Sequence, residues 1–208
     1  MNGFTARLTT RSGTPVLTPL RLDVVRYAAL AEGGPLAAEL AIDGLGDVEP
    51  ALDLLGCKVT VFAPDLTPVW WGLVEEVTAT ADGLEYGVSL ADMANRICVL
   101  YSLASEGEAT AAQTAWVEDS RSVSLYGRKE LRYSLGTATA DEAQTALVNL
   151  LAQMSMPQLI SKPSSGPDGA ATLRCIGLWQ TLDWRYLAQE SGRIVYQDIM
   201  RINLAIED

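Results

Sequence analysis

Histidine is missing from all 208 residues of this chain. With it go the commonest general base at neutral pH, the usual activator of a serine or cysteine nucleophile and the commonest metal ligand, so no His-based triad can be built. Cysteine is scarce: Cys57, Cys98 and Cys175 are widely scattered and show no C-x-x-C spacing, which fits neither a disulfide framework nor a zinc site. Each has apolar neighbours (LLGCKVTVF, NRICVLY, LRCIGLW), and that predicts three reduced, buried thiols. Basic residues are outnumbered, 15 Lys+Arg against 26 Asp+Glu for a net charge of -11, and no basic cluster is longer than Arg128-Lys129. Affinity for a phosphate backbone comes from basic groups that displace condensed counterions, so specific nucleic-acid binding is not expected.

Long hydrophobic runs are absent too. No stretch of about 18 apolar residues occurs, and MNGFTARLTTRSGTPVL at the start lacks the apolar segment of about 7 to 15 residues that a signal peptide needs. The expectation is a chain without a membrane segment, made in a cytosol-like compartment. G-x-S-x-G, G-x-G-x-x-G, P-loop and H-E-x-x-H motifs are likewise missing, which removes the nucleotide and metallohydrolase signatures.

What is present is an ordinary globular composition, 49% hydrophobic and 20% charged, in a chain long enough to bury a core without staples. Residues 19–30, 36–44, 57–63, 69–81 and 84–90 are short apolar runs rich in Val, Thr, Tyr and Trp, and Gly, Pro and Asp turn signals separate them. They read as antiparallel strands. Asp82-Gly83 predicts a two-residue turn for a hairpin over 73–90. DVEPALDLLG predicts one or two helical turns, with Pro50 near the start and Gly56 past the end; ADMANRI is a short helix at best. Residues 102–122 are small and polar and read as a loop. Thr139 followed by Glu142 matches a capping box, and Ala143, Leu147, Leu150, Leu151 and Met154 share one face, so 139–154 is the clearest helix, ended by Pro157. SKPSSGPDGA is a loop by composition, and 171–187 and 192–208 supply two or three more strands.

The fold class expected is mixed α+β, predominantly antiparallel β, with barrel-like β domains and one main amphipathic helix. The domains expected are 1–103, an N-terminal β-barrel-like domain; 104–124, a loop or excursion; and 125–208, a second β domain containing helix 139–154. The Trp-bearing runs 69–77 and 173–187 could hold analogous places in two half-barrels.

Without histidine, the enzyme chemistry left is that of paired carboxylates, as in glycoside hydrolysis. Glu75-Glu76, Asp92, Glu118-Asp119 and Asp183 are the candidates. Strict strand alternation puts Glu75 and Glu76 on opposite faces, where they cannot flank one bond. Alternation also sends one of Trp70 and Trp71 inward and the other outward, with Gly72 leaving room beside a ring. The outward ring suits a subunit contact, plain packing or a sugar platform. Asn95 and Arg96 end a strand, Gly127 holds a bend, and Arg128 is a candidate for pairing with an acid of a neighbouring subunit.

The run VWWGLVEEVTATADGLEYGVSLADMANRICVLYS, followed by SRSVSLYGRKELRYSLGTATADEAQTALVNLLAQMSMP, resembles the tail-hub or baseplate-hub proteins of tailed bacteriophages. The residues that carry it are Trp70, Trp71, Gly72 and Val74, then Ser122, Tyr126, Gly127 and Glu130, then the 139–154 helix and Pro157. The resemblance implies a structural virion component rather than an enzyme, with no cofactor. It implies a homo-oligomeric, trimeric ring at the distal end of the tail tube, assembled in the host cytoplasm and in contact with tube, distal-tail and tip proteins. DNA would pass through its channel without specific binding, which the net negative charge suits. Trp70, Trp71, Tyr126 and Arg128 are the residues expected near interfaces. The competing expectation is a carbohydrate-binding or polysaccharide-cleaving module of the bacterial envelope, built on Trp179 or Trp184 near Asp183; a third is a cytosolic β-barrel protein unconnected with phage.

Overall fold

A computed structural model describes residues 3–16, 21–31, 34–103 and 110–185. Its elements are β1 (Thr5–Thr9), β2 (Asp23–Leu30), β3 (Gly34–Asp43), α1 (Glu49–Leu52), β4 (Lys58–Phe62), β5 (Pro68–Ala81), β6 (Leu84–Ser89), β7 (Arg96–Leu103), β8 (Thr110–Gln113), β9 (Val117–Glu118), α2 (Ser120–Tyr126), β10 (Glu130–Thr137), α3 (Ala140–Met154), β11 (Ile160–Pro163), β12 (Ala170–Gly177) and a 3₁₀ helix, Leu178–Trp184. The fold is mixed α+β, predominantly antiparallel, with one sheet curled into a half-barrel. The strand at 192–208 expected from the sequence lies outside the described residues.

The larger sheet runs β1-β4-β5-β12-β3-β2, and β6 pairs with the second half of β5 and carries β11. Its curl brings Phe4, just before β1, edge-on to Tyr27 of β2 with ring centroids 5.5 Å apart. The concave side is the core: Leu40, Ile42, Val59, Val61, Trp70, Val74, Val77 and Leu173 are all buried there. These residues come from alternate positions of β3, β4, β5 and β12, the pattern of strands with one face on a core. The hairpin between β5 and β6 turns on Asp82 (φ 54°) and Gly83 (φ 71°), both left-handed as a type I′ turn requires.

The register of β5 breaks against β4 at Val69 and against β12 at Glu75. Cys175 of β12 stands opposite Val74 and Arg174 opposite Glu76, so Glu75 has no cross-strand partner. This is a β-bulge, and it lets Val74 and Val77, three residues apart, both reach the core. The sequence expectation that Glu75 and Glu76 strictly alternate is therefore corrected: Glu75 is itself the extra residue, between Val74 and Glu76.

The smaller sheet is β10-β7-β8 with β9 also on β7; β7 and β10 are parallel. α3 lies against it through Ala143 and Leu147, which meet Val99. The capping box is formed, with the Thr139 hydroxyl taking the Glu142 N–H and the Glu142 carboxylate taking the Thr139 N–H. The stretch expected as a loop over 102–122 holds β8 and β9 and runs into α2, whose N-cap is Asp119, accepting from the Ser122 N–H at 3.0 Å. Residues 91–95 form no helix; they turn into β7.

Strand pairing does not follow the division at 103/104 and 124/125. β12 lies between β5 and β3, and β11 extends the same sheet from β6, so segments on both sides of the expected boundary share one core. The two Trp-bearing runs are likewise not in separate half-barrels. β5 and β12 are neighbours, and past Gly177 the second run leaves the sheet as the 3₁₀ helix.

Candidate functional site

Trp70 is wholly buried, and its indole N–H donates to the Ala28 carbonyl of β2 at 3.1 Å. It ties the edge strand to the barrel interior and is withdrawn from any contact surface, which corrects its expected interface place. Gly72 makes the ring possible: a Cβ there would come within 2.4 Å of the Trp70 ring and 2.0 Å of the Ile176 carbonyl oxygen. Trp71, on the opposite face, is half-buried.

Tyr126 and Arg128 flank Gly127, the positive-φ residue (φ 81°) that ends α2. The Tyr126 ring packs over Gly56, where a Cβ would meet it at 2.9 Å, and its carbonyl accepts from the Arg11 guanidinium at 2.8 Å. Arg128 pairs with Glu118 of the same chain at 3.2 Å. That acid is the partner the sequence expectation had sought on a neighbouring subunit.

Between these residues lies a buried polar joint that the sequence had read only as a strand end. Asn95 is fully buried; its amide N–H donates to the Gly127 carbonyl (2.7 Å) and the Ser122 hydroxyl (3.1 Å), and its carbonyl oxygen accepts from the Lys129 N–H (2.7 Å). The Ser122 hydroxyl donates onward to the Ser155 carbonyl. Lys129 reaches the carbonyls of Leu90 and Ala91 and sits 5.0 Å from the centre of the Trp184 ring. Burial pushes its ammonium below the usual lysine range, while Glu75 and Asp92 act to hold the charge. Every donor and acceptor of Asn95 named here is engaged, so the joint fixes α2, β7, β10 and the end of α3 relative to one another.

Three of the candidate carboxylates, Glu76, Glu118 and Asp119, are occupied by similar work. Glu76 pairs with Arg174 at 2.9 Å and Glu118 with Arg128. Asp119 caps α2, and the Ser122 N–H holds its carboxyl below the usual range. Among the described residues no group of three or more His, Cys, Asp and Glu could hold a metal ion. Trp179 and Trp184 do not form a shared platform: Trp179 lies by Gly34, partly exposed, and Trp184 stacks on Lys129. A cavity of about 390 Å³ opens between β5, β6, β11 and the end of α3, floored by Met93, Met154 and Met156 and edged by Glu76, Glu85 and Asp92.

The outer face of the large sheet carries cross-strand ion pairs: Arg26 with Glu39 (2.6 Å), Arg174 with Glu76 (2.9 Å) and Lys162 with Glu85 (3.0 Å). Of its three end strands, β1 is drawn toward β2 by the curl, and β2 and β11 carry exposed apolar side chains. Val25, Tyr27 and Leu30 of β2, with Leu36 and Trp179 beside them, stand on one edge, and Leu159 and Ile160 on the other. Sequence reasoning missed this distribution because it depends on which strands end the sheet.

No helix among the described residues is long and apolar enough to cross a membrane. No protein-family model, no curated protein sequence and no solved structure matches the chain.

Proposed function

We propose that this chain is a non-enzymatic structural component of a phage tail tip or baseplate hub, assembling with copies of itself into a ring at the end of the tail tube. The observation that carries the reading is the gathering of exposed apolar side chains on the lateral edges of the curled sheet, with Val25, Leu30 and Ile160 each more than half exposed. Edges of this kind are templates for pairing with another chain, and a monomer normally covers or charges them. Of the carboxylates that could have served catalysis, Glu76 and Glu118 are held in ion pairs and Asp119 in a helix cap. The net charge of -11 suits the wall of a conduit, since like charge keeps DNA from adhering. The sequence resemblance supplies the tail context.

Mass spectrometry of purified particles tests the proposal. Detection at a few copies per particle, in a multiple of three, is the expected result. Absence from particles, combined with retention of the isolated chain on a glycan matrix through Trp179, would replace it with the envelope-binding reading.

A further inference from the structure

Over the half of the large sheet that includes β6, the strand order is β11-β6-β5-β12-β3-β2, and every neighbouring pair is antiparallel. An even number of alternating strands leaves the two end strands pointing in opposite directions. A second copy in the same orientation therefore presents its β2 antiparallel to the first copy's β11. We infer that copies of this chain join head to tail through these edges, β11 of one copy pairing with β2 of the next. The inference rests on the assembly reading above and names its contact.

One register satisfies the chemistry of both edges. Placing Lys162 opposite Asp23, side chains 66% and 50% exposed, puts Ile160 opposite Val25, 67% and 51% exposed. An ammonium then meets a carboxylate and an apolar side chain meets another, the cross-strand pairs that stabilise sheets. The faces agree. Asp23, Ala41, Thr172, Thr78, Gly87 and Ile160 form one cross-strand row, and Thr78, between core residues Val77 and Ala79, faces away from the core. Lys162, two residues beyond Ile160, shares that face with its partner Glu85. Setting Ile160 against Val25 instead of Asp23 shifts the junction by two residues; Val25 is the bulged residue between core-side Val24 and outward Arg26, and its half-exposed side chain is free to meet Ile160. A constant stagger between neighbours is also what closure of a sheet into a ring requires.

The edges are short and guarded. Pro163 has no N–H to donate, and Val25 is skipped by the β3 ladder. Such features limit open-ended stacking, and here they confine the contact to roughly four residues on each side. A junction of this size gives specificity of register while the apolar contacts supply affinity.

The test measures the mass of the full chain by light scattering across a concentration series. Wild type is expected above the one-chain mass. Ile160→Lys and Val25→Lys, both at exposed positions, are each expected at one chain, and their equal mixture at two, because one intact junction remains. Lys162→Glu and Asp23→Lys should each weaken association about threefold, and the double swap should restore it; circular dichroism verifies folding, and the charge swap decides if an edge variant does not fold. Wild type at one-chain mass throughout overturns the inference, as does an assembly unaffected by both edge variants. Dissociation by only one of them would mean a two-fold contact and overturns it equally. Copy number in particles is read separately, so this junction can fail while the tail-tip reading stands.

Discussion

The large curled sheet and the small sheet are held by different forces. The large sheet closes on a continuous apolar core in which Trp70, Leu40, Ile42, Val74, Val77 and Leu173 exclude solvent completely or nearly so. The small sheet has Val99, Ala143 and Leu147 as its buried apolar cluster and depends on the Asn95–Ser122–Lys129 joint for its position. Burial of apolar surface tolerates small displacements, whereas a buried hydrogen-bond network is sensitive to the loss of any member. The core should thus set overall stability, and the joint should set how firmly the two sheets act as one body.

The largest effect is expected from Trp70→Ala, which removes the core's largest side chain and the bond to Ala28; it should cost about 3–5 kcal/mol in urea denaturation. A loss under about 1 kcal/mol would show that the barrel interior does not carry the fold. Asn95→Ala should cost about 2–3 kcal/mol, because it strands buried partners at Gly127, Ser122 and Lys129. Hydrogen exchange sharpens the contrast: amides of β7, β10 and α3 should lose protection ahead of those of β5 and β12, and uniform loss would refute the division.

A third expectation concerns pH. Burial pushes the Cys175 thiol up to about 12 from an ordinary value of 9.0. A folded-state value above the unfolded one means stability fully present below pH 9.0 and lost as pH rises toward 12, with a slope of up to about 1.4 kcal/mol per pH unit. Lys129, shifted downward, contributes the opposite slope, so the check is the difference between wild type and Cys175→Ala, which should have the flatter alkaline limb. The smallest effect is at the α2 cap. Asp119→Ala should cost about 1 kcal/mol near neutrality, and the cost should vanish in acid, since a carboxyl with a depressed value loses its contribution as pH falls through that value.

Local signals in the sequence were strong wherever the structure is local. The Asp82-Gly83 turn, the Thr139–Glu142 capping box and the inward–outward split of Trp70 and Trp71 are all set by residues a few positions apart. What the sequence did not disclose is partnership. The alternation in 171–177 says strand, yet nothing in it says that the strand belongs between β3 and β5, or that β10 runs parallel to β7. The α2 helix hid in a small, polar stretch whose one signal was Asp119 three residues before Ser122, an N-cap spacing. The bulge at Glu75 was invisible because it answers a register on β12. The same limit applied to the candidate site, since the exposed edges exist only once the strand order is known.

The central place of β12 has a consequence for synthesis. β3 ends at Asp43 and β5 at Ala81, while the strand between them begins only at Ala170. Until the ribosome has delivered that strand, β3 and β5 each face the solvent along an unpaired side, next to Leu40, Val74 and Val77. Pairings so distant in sequence form slowly, and unmatched strands invite association between nascent chains. The slot left for β12 makes translation itself the period of greatest aggregation risk, and a chaperone that shields β-strands would act on the chain before its final central strand arrives.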